Sequence, residues 1–146
     1  MALAKDNEKI FTDLFGKKVR DVTLLKGTVY TIEDKKGRKL SSSVDHYFEH
    51  NGRQVLIELD SYNMAKVVVG QYLLLNQFRD KSLSNPVFLV IHAYKNYAPV
   101  RTIKYLEHVT ENVIKEDSIP FGVIHIDSFK EWGGGDADAF IKLFNI

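Results

Sequence analysis

The stretch Leu40-Ser41-Ser42-Ser43-Val44-Asp45-His46-Tyr47-Phe48-Glu49-His50-Asn51-Gly52-Arg53-Gln54-Val55-Leu56-Ile57-Glu58-Leu59-Asp60 decides the fold. Asn51-Gly52 is the strongest short-range hairpin signal, because the favoured two-residue turn needs positive φ at both central positions. β-branched and aromatic residues flank it on both sides, so two antiparallel strands are expected over 40–50 and 53–60. A two-residue loop pairs His50 with Arg53, and each further pair steps back one residue on either strand. Val44, His46 and Phe48 then face Leu59, Ile57 and Val55, which makes one mostly apolar face. On the other face Tyr47 meets Leu56, Asp45 meets Glu58 and Ser43 meets Asp60.

This register sets two acids directly opposite each other, with Cβ atoms about 4.5–5.5 Å apart, and puts a third, Asp60, on the same face. Like charges opposite each other destabilise a sheet, so the group calls for a positive partner. A hard divalent cation held by carboxylates, waters and substrate phosphate meets that need. Two plainer readings stand beside it. The face could be solvated, where acids are ordinary, and Asp60 could cap the helix that follows. A slip of one residue would put Asp45 and Glu58 on opposite faces.

Outward from the hairpin, Val22, Leu24, Val29, Tyr30, Thr31 and Ile32 mark a strand within 21–34, with Gly27 as a bulge or break. Lys35-Lys36-Gly37-Arg38-Lys39 is a basic turn between that strand and the next. Apolar spacing predicts a helix over 3–15 (Leu3, Ile10, Phe11, Leu14, Phe15) stopped at Gly16, and a largely buried helix over 61–79. Residues 87–93 are a continuous apolar run, as expected of a strand covered on both faces. A helix over 100–116 and a strand over 121–127 follow. After the Gly133–Gly135 break, Asp136 is read as the N-cap of a terminal helix over 137–144. The order is helix, three-strand meander, helix, strand, helix, strand, helix: an α/β arrangement, an antiparallel meander extended by crossover strands into a mixed sheet flanked by helices.

Composition narrows the chemistry. The chain has 146 residues, 45% hydrophobic and 27% charged, so one domain spanning 1–146 is expected. It contains no cysteine, which excludes disulfides, thiol catalysis and cysteine-based zinc sites. Twenty basic residues against 19 acidic give a net charge of +1, which rules out a uniformly basic nucleic-acid coat. No apolar run approaches the roughly 18 residues of a membrane span. Met1 to Lys9 lacks the apolar core of a signal peptide, so a soluble, cytoplasmic protein is expected.

With the elements in this order, the chain resembles the PD-(D/E)XK nuclease superfamily over roughly residues 3–95. Val44-Asp45 looks like the P-D position. Glu58-Leu59-Asp60 looks like (D/E)-x-K, with twelve residues between Asp45 and Glu58. Valine replaces the proline, and Asp60 stands where the lysine belongs. The resemblance implies a restriction-endonuclease-like fold and a Mg2+-dependent endonuclease of restriction or repair type acting on DNA, with RNA as the other substrate class. Mn2+ would substitute for Mg2+. It implies metal ligands at Asp45, Glu58, the Leu59 carbonyl and Asp60, with Lys66 of the next helix as a substitute for the lysine. A symmetric homodimer would let so small a protomer cut both strands. The missing lysine also fits an alternative, a catalytically inactive nuclease-fold interaction protein.

Other residues carry weaker signals. Lys35, Lys36, Arg38 and Lys39 could grip phosphates or form a solvated hairpin tip. Gln71 matches a glutamine of related exonucleases, but Leu75 stands where their tyrosine would be. His46 and His50 share a strand face with no third metal ligand nearby in sequence. His92 and His125 read as core histidines. Lys17, Lys18 and Arg20 read as a solvated helix end.

Overall fold

The structure, a computed structural model, describes residues 2–82 and 85–146; Leu3, expected on the buried face of the first helix, has its side chain outside the described residues. The elements are α1 (Ala2–Lys18), β1 (Leu25–Glu33), β2 (Lys39–His50), β3 (Arg53–Asp60), α2 (Ala65–Phe78), β4 (Pro86–His92), α3 (Val100–Val109), β5 (Phe121–His125), α4 (Ile126–Glu131) and α5 (Ala137–Lys142). They build one mixed sheet in the order β1-β2-β3-β4-β5. The first three strands are antiparallel, and β3, β4 and β5 run parallel. The expected α/β fold with crossover strands is therefore present.

The β2–β3 turn follows the Asn-Gly rule. Asn51 and Gly52 have φ of 52° and 73°, both positive, as the two-residue turn requires. His50 pairs with Arg53 and the register holds as far as His46–Ile57. Every residue of β4 is buried, because α2 and α3 cover one side of the sheet and α1, α4 and α5 the other. Phe11, Phe15, Phe129 and Phe140 interlock on the α1 side, with ring centroids 5.2–5.8 Å apart. Tyr72, Leu75, Leu56 and Phe88 fill the other core.

Four expectations change. α1 runs through Gly16 to Lys18, since a helical glycine costs only about 1 kcal/mol against alanine while continuing the helix buries Val19, whose N–H donates to the Phe15 carbonyl at 2.9 Å. α2 starts at Ala65 and not at 61, because Asp60 holds Ser61–Met64 in a turn by accepting from the backbone of Tyr62 and Met64. Helix α3 ends at Val109 and widens into a π-helical turn over Thr110–Ile114. The last strand ends at His125, whose ring accepts from Asp127 N–H and starts α4. Asp136 does cap α5, accepting from Ala139 N–H at 2.8 Å.

Strand β2 is not flat. From Val44 to Tyr47 it takes three steps while β1 takes two from Gly27 to Leu25, so a bulge lies at Asp45–His46. Bulges re-aim side chains. Val44 packs into the α2 core, whereas Phe48 packs into the α1 core and His46 stacks on Phe11 of α1, centroids 5.6 Å apart. The expected single face of Val44, His46 and Phe48 is thus split. Beyond the bulge the β1–β2 arm bends back over α2, and the Tyr30 hydroxyl reaches Gln54 at the start of β3 (2.6 Å).

Candidate active site

Asp45 and Glu58 lie one step past the last rung of the β2–β3 ladder. A regular ladder would continue through Val44 and Leu59. Instead the strands part, and the two carboxylates take over the backbone donors. Leu59 N–H donates to Asp45 Oδ2 at 2.8 Å, and Asp45 N–H donates to Glu58 Oε2 at 3.3 Å. Each acid is thereby tied to the other's strand, at the bulge that ends the pairing.

The electrostatics are unfavourable for a bare pair. Burial and then the charge of Asp45 push Glu58 up to about 8; a hydrogen bond from Asp45 N–H opposes the rise and the charge of Asp60 adds a smaller part. Burial also pushes Asp45 up, against the Leu59 hydrogen bond; Glu8 and Asp60 add to the rise and Lys26 opposes it. Near neutral pH the pair therefore keeps a proton that a cation would displace. The donor set consists of hard oxygens, and one or two carboxylates with waters and substrate phosphate are what Mg2+ takes. The residues present fit such an ion.

Asp60 is placed differently from Asp45 and Glu58. It is buried, and both its oxygens are engaged: Oδ1 by Tyr62 N–H, Oδ2 by Met64 N–H at 3.0 Å and by His92 Nδ1 at 2.8 Å. Burial opposes its ionisation, but these hydrogen bonds hold its pKa below the usual carboxylate range. His92 continues the chain through Nε2 to Thr102 Oγ1, which meets the Tyr97 hydroxyl. Among the described residues no three His, Asp or Glu side chains converge as a metal-binding set. The three acids expected together from a flat register are therefore an acid pair beside an acid that braces the turn leading into α2 and holds His92.

The proposed lysine and the basic turn also stand apart. Lys66 is exposed on α2 and, among the described residues, pairs with no carboxylate. Gln71 is the α2 side chain that reaches β2, donating to the carbonyl of Ser43. Lys66, five residues earlier, leaves the helix about 140° away. In the basic turn, Arg38 is held by Asp34 at 2.7 Å, while Lys35, Lys36 and Lys39 are exposed. The charges that act on Asp45 come from Glu8, Lys26 and Asp60, not from this turn.

Glu8 of α1 and Lys26 of β1 were missed by the sequence reading. Their side chains form an ion pair, and Glu8 Oε1 lies 3.7 Å from His46 Nε2. The one sequence signal was Gly27, read as a bulge or break, which marks where β1 crosses the acid pair. Its φ is +117°, a conformation that favours glycine.

No family model matches the sequence, and no curated protein matches it. A solved structure does match: the small subunit of the heterodimeric restriction endonuclease R.BspD6I. The TM-score is 0.54 at 16% identity, over 92% of this chain and 74% of that one. The fold is restriction-endonuclease-like. At this identity the likeness shows the fold alone.

Proposed function

We propose that the protein is a Mg2+-dependent endonuclease that hydrolyses DNA phosphodiester bonds, with Asp45 and Glu58 as its metal ligands. The observation that carries the reading is the interlocked acid pair where β2 and β3 part, with Glu58 pushed up to about 8. Asp45, Glu58 and the Leu59 carbonyl would hold Mg2+, or Mn2+ in its place. When bound, the ion would polarise the phosphate and lower the pKa of the attacking water. The chain's own part is to hold two hard donors rigidly at a strand end, through the Leu59 and Asp45 N–H groups.

The restriction-endonuclease fold supports DNA as the polymer, and the exposed Lys35, Lys36 and Lys39 supply phosphate contacts away from the centre. One acid pair per chain cuts one strand. Cleavage of both strands then needs a second copy, as in a homodimer, or a partner subunit; the fold neighbour is itself one subunit of a heterodimer.

One observation favours a second reading, a nuclease fold that binds without cutting. The residue at the lysine position, Asp60, is spent on His92 and the start of α2. Incubation with supercoiled DNA, and separately with single-stranded RNA, in Mg2+, Mn2+ and EDTA decides between them. The nuclease reading expects metal-dependent nicking of DNA, lost in Asp45→Asn and Glu58→Gln at a melting temperature no lower than the parent's. Duplex binding with no cleavage in either metal supports the non-cutting reading, and cleavage of RNA alone moves the substrate class.

A further inference from the structure

The proposed hydrolysis, on which this inference rests, needs positive charge at the phosphoryl oxygens as the water attacks. Strand β3 does not supply it. Two residues after Glu58 it carries Asp60, and Lys66 points away from β2.

Strand β1 does carry an ammonium at the right place. Gly27 pairs with Val44 and Leu25 with Tyr47, so Lys26 lies directly across from the Asp45–His46 bulge. Its Nζ is held by Glu8 Oε1 of α1 and not by either acid of the pair. It is also the cation that acts on Asp45. Lys26 is largely exposed, so an anionic polymer can reach it. His46 is 1% exposed, and among the described residues neither of its ring nitrogens has a hydrogen-bond partner. It stands 3.7 Å from Glu8.

We propose that Lys26, reaching in from β1, is the catalytic lysine that β3 lacks, with Glu8 as its positioning residue. In the step it serves, the water oxygen bonds to phosphorus. The bond from phosphorus to the leaving oxygen breaks, with its electron pair going to that oxygen. The water loses one proton and the leaving oxygen gains one. Lys26 keeps its protons throughout and offsets the charge that builds on the phosphoryl oxygens.

The absence of cysteine from the chain permits a clean chemical test. Lys26→Cys introduces a single thiol, which 2-bromoethylamine converts to an aminoethyl thioether, close in length and charge to lysine. Plasmid nicking in Mg2+ by Lys26→Cys should be about 100-fold slower or worse. Its melting temperature and its duplex affinity in Ca2+ should stay near those of the parent. Aminoethylation should restore most of the rate, whereas capping with iodoacetamide should not. Full activity in untreated Lys26→Cys overturns the assignment, and so does a loss that both reagents or neither reagent reverses. Failure of the parent protein to cleave any nucleic acid removes the nuclease reading itself. An active parent with an active Lys26→Cys removes only Lys26.

Discussion

Glu58 sits where an ionised carboxylate is least favoured, half-buried beside Asp45. Its pKa rises from 4.5 to about 8, so the folded state binds more protons than the unfolded state across that window. Stability without metal should therefore fall as pH rises from 4.5 towards about 8 and level off above. The slope is at most about 1.4 kcal/mol per pH unit, and Asp45, also raised, acts in the same sense. Glu58→Gln should flatten the fall and melt above the parent at the alkaline end, in melting curves recorded in EDTA. A parent and a Glu58→Gln variant whose melting temperatures run parallel across this window would show that Glu58 ionises at its ordinary pKa. The pair itself was legible in the sequence, because Asn51-Gly52 fixes the count of residues to each side. Its partners were not. Glu8 and Lys26 are ordinary charged residues in a helix and a strand, and only the packing of α1 across the bulge brings them to Asp45.

At the scale of elements, the β3–α2 junction shows how a structural acid can imitate a functional one. Asp60 shares its strand parity with Glu58, which made it look like a third ligand. Its oxygens instead fasten the turn into α2 and the buried His92. Asp60→Ala should cost about 3 kcal/mol, because it leaves the buried His92 Nδ1 and the Tyr62 and Met64 N–H groups without their acceptor. Asp60→Asn should cost less, because the amide oxygen still accepts from the turn. Chemical denaturation measures both, and a neutral Asp60→Ala would return this residue to the metal site. The β1–β2 arm makes a separate prediction. Replacing the exposed Lys35, Lys36 and Lys39 by Ala should shallow the salt dependence of duplex binding by about 0.9 per lost phosphate contact, on all sequences alike. An unchanged slope would make the tip a solvated turn. The bend of this arm could not be read from residue patterns, since β2 still alternates buried and exposed residues through the bulge and only the core they enter changes.

For the whole molecule, the order of elements and the α/β class followed from apolar periodicity and turn residues, with errors at element ends, at the bulge of β2 and at the short helix α4. Those errors have one origin. Tertiary contacts decided the ends: burial of Val19 carried α1 past Gly16, Asp60 delayed α2, and His125 opened α4. Among the described residues no helix is long and apolar enough to cross a membrane. With one acid pair per chain, nicked circles should precede linear plasmid, and linear product should depend more steeply on protein concentration than nicking does. A time course over several concentrations checks this. Simultaneous appearance of both products at every concentration would mean that a preformed pair of chains does the cutting.

The central claim is that Asp45 and Glu58 form a seat for a divalent cation. Calorimetric titration of Mn2+ into metal-free protein near neutral pH, in two buffers of different ionisation enthalpy, tests it most directly. The account predicts saturable binding accompanied by proton release, because the ion displaces the proton that Glu58 holds with its pKa near 8. Binding should be lost in Asp45→Asn and Glu58→Gln and kept in Asp60→Asn. No saturable heat, or binding that survives in both Asp45→Asn and Glu58→Gln, would contradict it.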